Sequence, residues 1–218
     1  MSKVIVFGIG GLSEVLSGYI STDHEISAYT VDARYMNGNE FLSRPIVPFE
    51  TIEEIYNPGE YLFVAFVTRQ HRTNRRLLER VMKDAKGKGY RFLSYIDQSA
   101  YVADVEMGRN CIVSPYAIIE LSVSLGDGVI ARSGAYIGHH VTIGDYSYIA
   151  PRASISGYVS IGRNVFVGNN ATLRDQIVVG DDAVIGAGAV VLRDVKPGAV
   201  YKAMEARLLD KTSAEVEI

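Results

Sequence analysis

Two architectures follow one another in this 218-residue chain: an open α/β domain over residues 1–97 and an all-β parallel β-helix over residues 98–195, with a tail at 196–218. Three observations predict them. Apolar runs alternate with helix-like stretches up to about Asp97. A strict six-residue period of aliphatic side chains then takes over after Tyr101. Finally, 13 of the 21 glycines lie beyond Tyr101, five of them spaced by 18 residues.

In the first part, KVIVFG (3–8) reads as a buried strand, LSEVLSGYI (12–20) as a helix and EISAYTVD (25–32) as a second strand. YLFVAFV (61–67) and RFLSYI (91–96) are two more strands. Between them, Leu77, Leu78, Val81 and Met82 recur at helical spacing within 74–86. Strands alternating with helices predict a small parallel sheet with crossovers.

In the second part, fifteen consecutive positions from Met107 through Val113, Ile137 and Ile155 to Val191 are aliphatic at a spacing of six, with no insertion. Two residues before each stands another small or aliphatic side chain, Cys111, Val141 and Ala189 among them. A period of six fits neither a helix nor one flat strand. It fits short strands separated by corners, all pointing inward at one axis. Gly108, Gly126, Gly144, Gly162 and Gly180, each followed by Arg or Asp, make every third corner alike, so three hexads form one coil. Sharp corners that need backbone room predict glycine there.

Composition narrows the setting. Twenty-two basic and 25 acidic residues give a net charge of −3, which supplies no general attraction for nucleic acid. No stretch reaches the ~20 apolar residues of a membrane span, and the apolar run in MSKVIVFGIGG is too short for a signal peptide. A lone Cys111 forms no internal disulfide, so a reducing, cytoplasmic setting is expected. A zinc site of the carbonic anhydrase type needs three converging histidines. The repeats offer only His139 and His140, so no metal is expected.

The hexads, in forms such as I-G-D-Y-S-Y and I-G-R-N-V-F, resemble those of the hexapeptide-repeat acyltransferases. Together with FGIGG (7–11) and YIGHHVTIGDYSYIAPRASISG (136–157), they make the chain similar to the sugar O- and N-acyltransferases as far as about Arg207. That group holds the sialic acid O-acetyltransferases and bacterial nucleotide-sugar N-acetyltransferases. The resemblance implies a left-handed β-helix and a Rossmann-like head for a nucleotide-linked sugar. It also implies acetyl-CoA as co-substrate, a homotrimer with its site between subunits, and a place in bacterial surface glycan biosynthesis.

Acyl transfer needs a base for the acceptor's proton and a donor for the oxyanion. His139 falls on the family's His-Asp/Glu-x-x-Ile-Gly-Asp pattern, which makes it the base. His140 stands where the acidic partner would be, as a supporting residue or a solvated corner. Gly157 in I-S-G falls on the oxyanion donor, and is equally a corner glycine. Tyr148 occupies a position that often holds a second histidine near the thioester, and Arg132 one that often holds Asn near the sugar. Asn169 and Ala187 match the coenzyme A groove or answer to close coil packing. Arg207 is a phosphate ligand or a solvated arginine.

In the head, Gly8, Gly10 and Gly11 form a strand-to-helix turn of the kind that holds a diphosphate, with Leu12 where relatives carry His. Asp32 ends the second strand, placed to accept from ribose or base. The alternative is a tight turn followed by a strand-end aspartate. Nine basic residues between Arg69 and Arg91, with Arg72 near the end of strand 61–67, are a solvated face or a lure for an anionic sugar nucleotide. A non-catalytic nucleotide-sugar scaffold remains the alternative to an enzyme.

Overall fold

The computed structural model describes residues 1–67 and 76–205. The head is a six-stranded sheet built from β1 (Lys3–Phe7), β2 (Glu25–Val31), β3 (Glu40–Phe41), β4 (Arg44–Pro48), β5 (Tyr61–Ala65) and β6 (Arg91–Phe92). Its order is β3-β4-β2-β1-β5-β6, parallel except for the β3–β4 hairpin. The helices are α1 (Gly11–Ile20), the short α2 (Ile52–Ile55) and α3 (Leu77–Gly87).

β1 is continuously apolar because both of its faces are covered. Val4 and Val6 pack with Leu16 and Ile20 of α1, whereas Ile5 and Phe7 pack with Val81, Met82 and Ala85 of α3. All of these residues are buried.

The stretch 91–96, expected as one strand, is two. β6 completes the head sheet, and Leu93 N–H still donates to Phe63 O at 2.9 Å. Ser94 then turns the chain, its hydroxyl donating to Gly108 O and accepting from Cys111 N–H. Tyr95–Ile96 pairs instead with Ile112–Val113, as the first layer of the coiled part. Strand 61–67 is likewise shorter than expected, ending at Ala65.

The coiled part has three walls of short parallel strands. One stacks Tyr95–Ile96, Ile112–Val113, Ile130–Ala131, Tyr148–Ile149, Phe166–Val167, Val184–Ile185 and Val200–Tyr201. The second runs from Tyr101–Val102 through Ile118–Ile119, Tyr136–Ile137, Ser154–Ile155 and Thr172–Leu173 to Val190–Val191. The third runs from Val105–Met107 to Val178–Val179. Between Val105 and Val191 strand partners lie eighteen residues apart, as in Ile130 against Tyr148 and Tyr136 against Ser154. The hexad positions from Val113 to Val191 all point into one buried core, with Met107 only partly covered at its end.

The eighteen-residue glycines have a reason other than corner dihedrals. A Cβ on Gly144 would sit 2.6 Å from the carbonyl carbon of Gly162, and one on Gly162 would sit 2.7 Å from Asp181 N. Their edge is where successive backbones approach most closely. The left-handed residues form a separate six-residue series that includes Asn110 (φ 57°), Tyr116 (60°), His140 (59°) and Tyr158 (60°). Each carries an ordinary side chain in a conformation that costs about 1–2 kcal/mol.

Along the glycine edge, Asp127 accepts Arg109 N–H at 2.8 Å and Asp145 accepts Asp127 N–H at 2.9 Å. Burial pushes the Asp127 carboxyl up, but its bonds from Arg109 outweigh that and hold it below the usual range. Cys111 lies in the core, where burial pushes its thiol up to about 12.

Head and coil share a buried polar tie. Asn110, fully buried, accepts Ala65 N–H at 2.7 Å through Oδ1 and donates to Ala65 O at 3.1 Å through Nδ2. The last residue of β5 therefore bonds to the coil, while Phe66 N–H still donates to Phe7 O of β1 at 3.0 Å. Around the tie, Arg163 pairs with Glu79 of α3 at 3.0 Å, and Tyr95 donates to Tyr19 O. Ile112 and Ile130 enter the apolar cluster beneath α1. Among the described residues no helix is long and apolar enough to cross a membrane.

Candidate functional site

Three rows of corners join the walls, and the sequence-predicted residues fall on two of them. The corners after the second wall carry His139–His140 and, one coil on, Gly157–Tyr158. They are stacked by His140 N–H to Leu121 O (3.1 Å), Tyr158 N–H to His139 O (3.0 Å) and Gln176 N–H to Gly157 O (3.1 Å).

The His139 ring lies flat over Gly157. A Cβ at 157 would be 2.7 Å from Cε1, 2.9 Å from Nε2 and 3.2 Å from Nδ1. Glycine is required there because an imidazole occupies the space that a side chain would fill. The amides of Ser156 and Tyr158 are bonded within the coils, whereas that of Gly157 donates to none of the described residues.

Three residues absent from the sequence reading complete this corner. Glu120, from the preceding coil, accepts His139 N–H at 3.0 Å and the Tyr136 hydroxyl at 2.9 Å. The bond to Glu120, with burial, pushes the Tyr136 phenol up. Tyr158 stacks on His140 with ring centroids 4.7 Å apart and meets His139 edge-on at 5.1 Å. The two imidazoles bring Nδ1 to within 3.2 Å of Nδ1. His139 is half-buried and His140 exposed. Chemically, this corner offers a nitrogen base beside an unengaged amide donor.

The other predicted residues are not brought to that corner. Arg132, Asn169 and Ala187 follow first-wall strands and share their own row of corners, Asn169 O accepting Gly188 N–H at 2.8 Å. Tyr148, in the first wall, accepts from Arg132 Nη1 at 2.9 Å and stacks on Phe166. Arg132 Nε is buried without a partner among the described residues. Tyr148 also packs against the same apolar cluster as Leu12, which places this row beside the head.

Within the head, Gly8 (φ 123°) has no room for a side chain, since a Cβ would lie 2.5 Å from Ser13 Oγ. Gly10 and Gly11 have open space above them, and Gly10 caps α1 with no side chain of its own. Asp32 is buried and already engaged, its oxygens 2.8 and 2.7 Å from Arg80 Nη2. As a strand-end aspartate it holds α3 against the sheet. Arg72 and Arg207 lie outside the described residues. Among those described, no three His, Cys, Asp or Glu side chains gather to hold a metal ion.

Comparison with known proteins agrees with this architecture. A family model for the bacterial transferase hexapeptide (six repeats) matches residues 122–157 and 158–193. The chain is similar to the acetyltransferase domain of PglB from Neisseria gonorrhoeae, in complex with acetyl coenzyme A, with 23% identity, TM-score 0.82, and coverage of 91% of this chain and 94% of that one. It is similar to a mutant of perosamine N-acetyltransferase from Caulobacter crescentus, in complex with CoA and GDP-perosamine, with 24% identity, TM-score 0.82, and coverage of 92% and 93%. WeeI from Acinetobacter baumannii matches with 19% identity, TM-score 0.79, and coverage of 92% and 96%. A sequence search of curated proteins found no match. At these identities the structures show the fold: an α/β head on a left-handed β-helix of hexapeptide repeats.

Proposed function

We propose that this chain, with its hexapeptide repeats and a fold shared with sugar acetyltransferases, moves an acetyl group from acetyl-CoA to an amino or hydroxyl group of a nucleotide-linked sugar. The observation that carries the reading is the His139 ring lying over Gly157, whose amide donates to none of the described residues. His139 Nε2 takes the acceptor's proton as its nitrogen or oxygen attacks the thioester carbonyl. The amide of Gly157 donates to the oxyanion. The C–S bond then breaks, and the proton held by His139 goes to the departing thiolate.

Two solved structures of this fold hold acetyl-CoA or CoA, one of them with GDP-perosamine, which supports this pair of substrates. The row carrying Arg132, Asn169 and Ala187 is separate from the His139 row. A neighbouring copy in a homotrimer brings the two together, with Asn169 and Ala187 lining the coenzyme groove. Exposed Tyr101, Ile118 and Val190 on the second wall are apolar surface for such a copy to cover. The glycine turn Gly8–Gly11, Leu12 and the row at Arg132 take the nucleotide and sugar. The setting is the cytoplasm, in surface glycan synthesis.

A panel of nucleotide-linked amino and hydroxy sugars with acetyl-CoA, read by thiol release and product mass, tests the reading. Release with one class assigns nitrogen or oxygen as the acceptor. No release with any sugar overturns the reading in favour of a scaffold.

The ring position has its own test. Gly157→Ala keeps the amide and adds a methyl within 2.7–3.2 Å of three ring atoms of His139. Displacing a base by about an ångström costs on the order of 10²-fold, so kcat is expected to fall about that far. In a His139→Ala background the same change is expected to cost nothing further, because both changes act on one ring. Wild-type turnover by the single variant would dismiss the geometry.

A further inference from the structure

We propose that His140 is the positioning residue of the proposed reaction, fixing the tautomer of His139 through an Nδ1–H···Nδ1 hydrogen bond; this rests on His139 acting as the base. The two Nδ1 atoms are 3.2 Å apart, and only one proton fits between two imidazole nitrogens. If His139 is to take a proton at Nε2, its own proton must sit on Nδ1, so His139 donates and His140 accepts. His140 then carries its proton on Nε2. The arrangement leaves the lone pair on Nε2 free, on the ring that lies over Gly157.

The fold presets this contact. His140 occupies a left-handed corner (φ 59°), its N–H is fixed to Leu121 O, and its ring is stacked on Tyr158 with an interplanar angle of 21°. The ring is thus aimed from two sides. A carboxylate orients histidine in many hydrolase triads by accepting the same Nδ1 proton. Here the nearby carboxylate, Glu120, is committed to His139 N–H and the Tyr136 hydroxyl. A neutral imidazole is left to do the accepting.

A neutral acceptor behaves differently from a carboxylate as pH falls. The titratable groups facing the pair are Glu120 from the preceding coil, Tyr136 from the strand leading into the same corner and Tyr158 from the following coil. One proton taken by His139 leaves a cation donating to neutral His140. A second would land on His140 Nδ1, break the bond and place two cations side by side. A carboxylate at 140 would instead favour the His139 cation.

The full-length protein tests this with three variants and one spectrum. His140→Phe keeps the stack on Tyr158 but has no acceptor, and kcat is expected to fall ten- to a hundredfold with KM for acetyl-CoA changed less than threefold. His140→Asp restores an acceptor; kcat is expected within threefold of wild type, with the acid limb of the kcat/KM profile moved upward by a pH unit or more. Wild-type turnover by His140→Phe, or an unmoved acid limb in His140→Asp, overturns the proposal. Nitrogen-15 spectra of the histidine rings at pH 8 are expected to show the Nδ1–H tautomer at His139 and Nε2–H at His140; Nε2–H at both overturns it without reference to activity. His139→Ala separates the two readings. If that variant turns over normally the base assignment fails, whereas an inactive His139→Ala beside a fully active His140→Phe sinks only the role of His140.

Discussion

Replacing His139 with asparagine is expected to lower kcat about 10²–10⁴-fold, the usual worth of a positioned general base. Asparagine has nearly the size of the imidazole and keeps a polar end group, but takes no proton at any accessible pH. Stability is expected to hold, because the ring is half-buried and its hydrogen bond runs only to exposed His140. The backbone of the corner is fixed independently by His139 N–H to Glu120 and Tyr158 N–H to His139 O. The check is thiol release at saturating acetyl-CoA, beside thermal melts of both proteins. Residual activity in the variant should climb with pH, as the acceptor loses its proton to solvent instead. Turnover near that of the wild type would remove His139 as the base and leave the corner as a binding surface.

The second large effect concerns stability. Asn110→Ala removes both partners of the Ala65 peptide group in a place with no water access. Each orphaned buried group costs about 1–3 kcal/mol. Alanine is also held at a left-handed corner where asparagine is better tolerated, adding about 1 kcal/mol. Together the loss is expected to be about 3–7 kcal/mol, read as a lower midpoint in urea. Asn110→Gly, which relieves the backbone but not the orphaned groups, should recover only about 1 kcal/mol of it. Wild-type stability in Asn110→Ala would mean that the head is held by its apolar contacts together with the Arg163–Glu79 pair and the Tyr95–Tyr19 bond.

The coil was legible because its signal is repetition. Fifteen in-register hexads specify a buried row whatever each residue's own propensity, and the walls follow that row. The break at Ser94 was not legible, since RFLSYI reads as one apolar run and nothing local says that Phe92 and Tyr95 bond to different sheets. The glycines at 108, 126, 144, 162 and 180 are expected at corners that need backbone room, and the room they supply lies between successive coils. The left-handed series is hidden because its Asn, Asp and Gly members are interspersed with Tyr, His, Arg, Gln and Ser, which propensity does not flag.

In the site, His139 and Gly157 were reached through a motif, and the structure places one over the other. Glu120, Tyr136 and Tyr158 were not singled out, because their link to His139 passes between coils. Writing the sequence in rows of eighteen would have shown His139 above Leu121 and below Gly157, with Glu120 and Tyr158 in the flanking columns. Asp32 reads either as an acceptor for ribose or base or as a strand-end aspartate, and its ion pair is not legible locally. Its partner Arg80 is forty-eight residues away, on a helix whose docking no local pattern announces.

The unbroken eighteen-residue register makes the coil a ruler graduated in whole layers. Each layer adds about 4.8 Å, the spacing of hydrogen-bonded strands. The head is pinned at Asn110 and the imidazole pair sits at a fixed graduation above it. A residue inserted within a strand would turn the inward side chains after it outward, so between Asn110 and the imidazole pair the register is kept in complete layers. Reach, on such a scaffold, is quantised: the distance from head to corner is set by an integer number of layers.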